Sequence, residues 1–440
     1  MKKTLMLMAL VASVNAYGGS IDYLAQQDAE YFAHPSMIGK IGTSGAFYNP
    51  AGTVFMEDGT YFKVNAQTIF KDYTMNTDKS ILSKGQNGVH NSDFASPMVP
   101  SFQFVKKDGD RSYFAHAGIA AGGGTVKYDN GISAFEVVAS TINSLVGNEL
   151  VGGRASYLGG TTVEGSSFYY NINFGMAQKL NEKFSVAGGI RLIYATRKLE
   201  GTGHFHLDTG KLGLGKTDLD VVLDAEREAY GVGGVIGFNY KPTDRLNIGF
   251  KYETEVELDF DAKNGRNGLK VNSPNEVING FLGGKLEKID VIKEWLVDGN
   301  RNLPAMMALG ISYDMTDKLI LLASGNYYFI EQANEDHAYD NYTNGYEASI
   351  GFDYKLNEKY TLMAGYQYTN TGANEGTYKD TDYALDAHMY CIGMSYSPNE
   401  TRKYTLSYGF VDYQDGTSSA TGTTFEKTVH TIGMSAEFKL

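Results

Sequence analysis

From about residue 60 onwards, apolar and polar side chains alternate with period two in run after run of this 440-residue chain. In Leu246 to Phe260 the even positions are Leu, Ile, Phe, Tyr, Thr, Val, Leu and Phe, and the odd positions are Asn, Gly, Lys, Glu, Glu, Glu and Asp. Successive side chains of a strand point to opposite faces, so each run presents one apolar and one polar side. Thr60 to Lys71 repeats the pattern, with Phe62, Val64, Ala66 and Phe70 opposed to Lys63, Asn65 and Gln67. Fourteen such runs lie between residues 60 and 440. A soluble sandwich accounts for one strand of this kind, but the recurrence points to a closed wall with lipid on one side. No uninterrupted apolar stretch after Ala16 approaches the roughly 18 residues of a membrane helix. The 32 Tyr, 23 Phe and 52 Gly against 8 Pro suit a long β protein. The fold class expected is an all-β membrane protein, a 14-stranded antiparallel transmembrane β-barrel.

The ends and connections orient that barrel. Lys2 and Lys3 precede the apolar run Leu5 to Val14, and Val14-Asn15-Ala16 supplies small residues for cleavage, so residues 1–16 read as a secretory signal peptide. Short polar turns at Lys107 to Asp110, Asn181 to Lys183, Lys241 to Asp244, Met315 to Asp317, Asn357 to Lys359 and Pro398 to Thr401 should be periplasmic. Long connections near 125–164, 201–225 and 261–301 should face outside the cell. Residues 17–58 lack sustained alternation yet carry Tyr23, Tyr31, Phe32, Phe47 and Tyr48, too many aromatics for a free tail, so burial inside the barrel is expected. The barrel then occupies 59–440. Its last strand sets Ile432, Met434, Ala436, Phe438 and Leu440 against a polar face, a terminal pattern of the kind read by the outer-membrane assembly machinery. The formal charge of −13, more negative still without Lys2 and Lys3, excludes nucleic acid as a partner.

One segment ahead of the first strand is more specific. Phe47-Tyr48-Asn49-Pro50-Ala51-Gly52 joins two aromatics to a Pro and a Gly, which suits a compact irregular piece rather than a helix or strand. With the signal peptide before it and fourteen strands after it, this motif resembles the FadL/TodX family of outer-membrane transporters for hydrophobic compounds. Tyr240 to Gly249 and Leu303 to Asp314 echo the same family. The resemblance implies an N-terminal hatch, residues 17–58, gated through Phe47, Tyr48, Asn49, Pro50, Ala51 and Gly52. It also implies uptake of long-chain fatty acids or similar hydrophobic molecules, captured by extracellular loops and released through the barrel wall after hatch movement. Outer-membrane lipids and lipopolysaccharide are then its surroundings, and it needs no cofactor.

Within the long connections, Phe135, Val138, Ile142 and Leu145 recur at helical spacing, as do Leu286, Ile289, Ile292, Trp295 and Leu296. Two apolar helices there would form a capture groove or pack on each other. Arg191, Arg197 and Lys251 fall on polar strand faces, placed to meet a ligand carboxylate, to neutralise Glu253, Glu255, Glu257 and Asp259, or to hold the hatch. If the acidic row lines the path, it would repel a fatty acid. Gly122-Gly123-Gly124 marks a bulge or a loop entry. No nucleophile and base share a context that commits them to catalysis, so no enzyme is expected. His204, His206 and Asp208 read as solvated surface rather than a metal site, and Gly231, Gly233, Gly234 and Gly237 lack the following helix of a phosphate loop. A diffusion porin for polar solutes and an adhesin using the long loops are the alternatives to a carrier.

Overall fold

The computed structural model describes residues 28–77, 88–128, 130–146, 152–262, 268–288, 292, 296, 298–333, 339–380 and 382–440. The expected signal peptide and residues 17–27 lie outside that set. Fourteen strands build the wall. They are β1 (Gly59–Asn76), β2 (Val89–Asp108), β3 (Arg111–Tyr128), β4 (Val163–Asn181), β5 (Phe184–Asp208), β6 (Lys216–Thr243) and β7 (Leu246–Glu253). The circuit continues with β8 (Met306–Asp314), β9 (Leu319–Tyr328), β10 (Gly345–Lys355), β11 (Tyr360–Asn370), β12 (Ala387–Asn399), β13 (Arg402–Tyr413) and β14 (Thr424–Lys439). Every neighbouring pair is antiparallel, and β1 closes on β14 from Tyr61↔Lys439 to Asn76↔Thr424. The sheet therefore has no free edge along its closing seam.

The alternation seen in sequence maps onto this wall with the polar side inward. Lys63, Asn65 and Gln67 are buried in the lumen, while Phe70, Phe102, Ile172, Phe174, Leu309, Ile350, Ile392 and Leu406 are exposed on the outside. In hydrocarbon that outer surface is the solvated one, because backbone polar groups are satisfied in the ladder and apolar side chains meet lipid.

The clearest run in the sequence behaves differently from the expectation. Leu246–Phe260 is not one wall strand, because β7 ends at Glu253 and the chain beyond it turns into the lumen. Val256 bridges Leu303, and Asp259–Ala262 pairs with Gly299–Asn300, so the hairpin continues inside the wall. Between the pairs Val235↔Glu253 and Glu228↔Asp261, β6 advances seven residues while the hairpin advances eight. One extra residue reverses which side chains face inward. Val256, Leu258 and Phe260 are consequently buried in the lumen and Glu257 and Asp259 are exposed, so of the expected acidic row only Glu253 is buried in the interior. Gly231 and Gly233 make room for this: a Cβ at Gly231 would lie 2.4 Å from Val256.

The 201–225 connection, expected as a long loop, is mostly strand: β5 and β6 stay paired as far as Asp208↔Lys216. His204 and His206 stand in that hairpin opposite Asp220 and Asp218, at 2.6 and 2.7 Å, and not with Asp208. Around 130–146 and 268–288 two helices form, α1 (Ala134–Val146) and α2 (Glu276–Leu286), the latter capped by the Asn275 side chain.

Residues 28–56 occupy the half of the lumen near the short turns, as turns and two short 3₁₀ segments, Thr43–Ala46 and Pro50–Phe55. The wall opposite this segment is lined with glycines. A Cβ at Gly433, Gly393, Gly351, Gly310 or Gly249 would meet Ala29, Ala33, His34, Gly39 or Ile38, in that order. Backbone thus presses directly on backbone, which side chains on the wall would prevent. At Gly249 the added carbon would lie 2.0 Å from the Ile38 carbonyl oxygen. Gly249→Val is expected to leave the barrel assembled, by heat-modifiable gel mobility, and to expose residues 28–56 to protease; full protection of that segment would contradict the packing described.

Candidate functional site

The motif segment is held from both ends. Asn49 Oδ1 accepts the Gly52 N–H at 3.0 Å and so caps the 3₁₀ turn that Pro50 opens, while its Nδ2 donates to Asn239 Oδ1 of β6 at 2.8 Å. A side chain at Gly52 would collide with Asn49, its Cβ 2.5 Å from Nδ2. Ser185 Oγ donates to the Ala51 carbonyl at 2.6 Å, and Thr53 Oγ1 meets Ser112 Oγ at the same distance. Phe47 packs edge-on against Tyr48 with centroids 4.9 Å apart, and Tyr48 stacks on Tyr31. All six motif residues, 47–52, are buried.

Of the candidate lumen cations, Lys251 touches this segment. Lys251 Nζ donates to the Phe47 carbonyl at 3.0 Å and to Glu253 at 2.9 Å, and lies 4.2 Å from the centroid of the Phe47 ring. Arg191 pairs with Glu253 at 3.0 Å from the other side. Arg197 is buried further out, directly across the ladder from Arg227. Sequence reasoning missed a larger ionic cluster. Lys63 reaches Asp28 at 2.8 Å and Glu30 at 3.1 Å, and Glu30 also meets Lys40 and Lys403. Lys40 in turn bonds Asp353 of β10 at 2.7 Å. Burial alone would raise the Glu30 carboxyl, but Lys40, Lys403 and Lys63 outweigh it and hold the group well below the ordinary carboxylate range. Asp28 and Glu30 sit in a stretch without alternation, so nothing in the sequence pairs them with Lys63 or Lys403.

On the side of the long connections the two expected apolar stripes meet. α1 carries Phe135, Val138, Ile142 and Leu145 as expected; in the second stripe Leu286 instead ends α2, whose buried face is Ile278, Leu282 and Leu286. Ile142 and Ile292 are buried between the helices and the β5–β6 hairpin, with Leu145 and Leu296 packed against that core. Trp295 lies outside the described residues. Phe135, Val138 and Ile292 do more than pack. With Val163, Leu199, Val221, Leu223 and Leu269 they line a cavity of about 310 Å³, which residues 378–380 and 418–421 close from the opposite side. Those closing segments carry no periodic pattern and are not legible in sequence.

The wall itself is interrupted. β2 and β3 pair from Asp108↔Arg111 to Phe102↔Ala117 and no further, although both strands continue. Further along, the Lys127 N–H donates to Ser92 Oγ at 3.1 Å. Between these points β3 stays paired with β4, with register breaks after Ile119 and Ala121 and positive φ at Gly122 (100°) and Gly124 (80°). Gly122 could carry no side chain, since its Cβ would lie 2.3 Å from the Ser167 carbonyl oxygen. The Gly122 to Gly124 signal thus marks a kink inside a strand. Pro97 and Pro100 in β2 were the further clue, because proline is tolerated in a strand where a ladder bond is absent.

A fourteen-stranded wall with its own N-terminal segment folded into the lumen defines an integral outer-membrane barrel of the plugged class. The chain belongs to the Outer membrane protein transport protein (OMPP1/FadL/TodX) family, whose model matches residues 153–438. It is 24% identical over 274 residues to outer membrane protein P1 of Haemophilus influenzae, a match spanning 55% of each protein and so about half the length of that relative. Its fold is similar to the crystal structure of a Pseudomonas aeruginosa FadL homologue, with TM-score 0.67, 15% identity and coverage of 96% of this chain and 99% of that one. The Pseudomonas putida toluene transporter TodX gives TM-score 0.63 and 15% identity over 96% and 99% of the two chains. At these identities the likeness concerns the fold.

Two outcomes follow for the plug. Asn49→Ala removes a cap and a buried hydrogen bond, together worth about 1–3 kcal/mol. Amide exchange in 38–56 should therefore accelerate roughly 10- to 100-fold by those magnitudes while exchange in β10 to β13 is unchanged. Because Glu30 titrates below its ordinary value, its ionic anchor is complete above about pH 4.5 and is lost as the pH falls through the depressed value. Exchange in 28–40 should accelerate only at acid pH in the native protein and already at pH 7 in Glu30→Gln.

Proposed function

We propose that this protein takes up small hydrophobic molecules, fatty acids or hydrocarbons, across the outer membrane, capturing them in the cavity beside α1 and releasing them sideways through the gap between β2 and β3. The observation that carries this reading is the pairing of an apolar external cavity with a break in a wall whose axial path is occupied. A hydrophobic molecule must cross the polar lipopolysaccharide layer, where protein-lined burial replaces water contact. Leaving through the wall puts it in hydrocarbon, where each methylene again gains about 0.8 kcal/mol relative to water.

Tyr169, Ile193, Ala195, Val256, Leu258, Phe260 and Met306 belong to one buried apolar cluster of the interior. The inward turn after Glu253 supplies three of these residues and carries Glu257 and Asp259 away, which removes the electrostatic objection to an anionic cargo from that hairpin. Movement of residues 28–56 would open the route from this cluster to the wall. Phe47 lies against His116 of β3, with centroids 4.5 Å apart, one position before the last β2–β3 pair at Ala117, so a shift of the motif is transmitted to the edge of the gap.

The test is uptake of labelled oleate and of labelled toluene by cells lacking their own transporter, with surface abundance matched. The native chain should restore uptake of at least one. Asn49→Ala with Pro50→Gly should abolish it, and Phe135→Asp with Ile292→Asp should lower it at least tenfold, since a charge in an apolar cavity costs several kcal/mol. Steady ion conductance with no uptake of either compound would make the protein a porin instead.

A further inference from the structure

The inner wall beside the gap carries polar side chains that the seated plug does not satisfy. Gln103 of β2, His116 of β3 and Asn173 of β4 stand side by side across the ladders, and Asn171 lies two positions along β4, opposite Gly118. All four are buried. Yet both ring nitrogens of His116, Gln103 Nε2, Asn173 Oδ1 and Asn171 Nδ2 have no hydrogen-bond partner and lie out of reach of water. Gln103 and Asn171 bond only through their oxygens, which accept from Asn65 at 2.7 Å and from Arg191 at 3.2 Å. The row flanks the last β2–β3 pair, Phe102↔Ala117, where the gap begins. The His116 imidazole leans along the strand towards that gap, its Nε2 3.0 Å from where a Cβ on Gly118 would stand. The Phe47 ring covers it from the plug.

A polar group kept dry and unpaired shifts an equilibrium about tenfold against the state that keeps it so. Apolar side chains would fill these positions without that cost. We infer that Gln103, His116, Asn171 and Asn173 are gating residues: unpaired while the plug is seated and hydrated once Phe47 withdraws, they bias the plug towards release and the gap towards opening. The inference rests on the gap being the exit proposed above and names the residues that work it. The bonds from Lys251 to Phe47 and from Lys63 to Glu30 hold the plug in, and the unpaired row acts against them. Cargo then supplies only the difference, since a ligand shifts an equilibrium by no more than its differential affinity for the two states.

The test uses His116→Phe, which keeps a ring against Phe47, and Asn173→Leu. Neither strips a partner from Asn65 or Arg191. Two quantities are read: amide exchange in residues 38–56 of the purified full-length protein in detergent, and uptake of labelled oleate and toluene by cells with surface abundance matched. Each variant should slow that exchange about tenfold, and the two together should slow it further. Uptake should fall by a similar factor although the plug is more firmly seated. His116→Gln, which restores a polar group, should recover most of the uptake lost in His116→Phe. Exchange unchanged or faster in both variants overturns the inference. Slower exchange with undiminished uptake overturns it too, because the row is then merely a structural penalty. If the native chain takes up neither compound while exchange slows as stated, the proposed uptake falls and the bias on the plug stands.

Discussion

Closure of the backbone ladder is the constraint on which this molecule depends. In hydrocarbon an unpaired N–H or C=O finds no water, so a sheet that crosses the membrane must pair its first strand with its last. β1 and β14 do so over sixteen residue pairs. Once the wall is closed its outer face must be apolar and its polar residues must point inward, and the interior then has to satisfy Lys63, Asn65, Gln67, Lys251 and Glu253 away from bulk water.

Residues 28–56 answer that second requirement. They bring Asp28 and Glu30 to Lys63, the Phe47 carbonyl to Lys251 and Asn49 to Asn239, so the polar lining is neutralised by the chain's own N-terminal segment. The glycines opposite Ala29, Ala33, His34 and Ile38 let it sit against the wall without intervening side chains. Breaking one partner of a buried ion pair is costly while the pair as a whole contributes little, so such an interior favours one arrangement strongly without requiring great stability.

The departures from the regular wall are the features on which the proposed route rests. The ladder is left open above Phe102↔Ala117, the β7–β8 hairpin turns inward after Glu253, and the connections around α1 and α2 enclose an apolar cavity rather than packing solid. Each departure has an identifiable cause: Gly122 and Gly124 at the kink, one extra residue in the hairpin relative to β6, and apolar faces from several separate segments converging on one space.

Period-two alternation made the strand count and the barrel legible, because a lipid-facing wall imposes the same two-faced pattern on every strand. The Phe47 to Gly52 motif was legible for a similar reason: Pro50 at the start of a 3₁₀ turn, Asn49 as its cap and Gly52 beneath that cap are local requirements, met by neighbours in sequence. The helical spacing of Phe135 to Leu145 was equally local. What stood beyond reach was long-range. The inward reversal of Val256 to Phe260 depends on a register against β6, and the pairing of Glu30 with Lys403 joins opposite ends of the chain. The placement of Asp380 against α1 depends on two connections meeting in space. Alternation specifies which side of a strand faces lipid; which strands break step, and which distant groups then share a space, is decided by closure of the whole barrel around its plug.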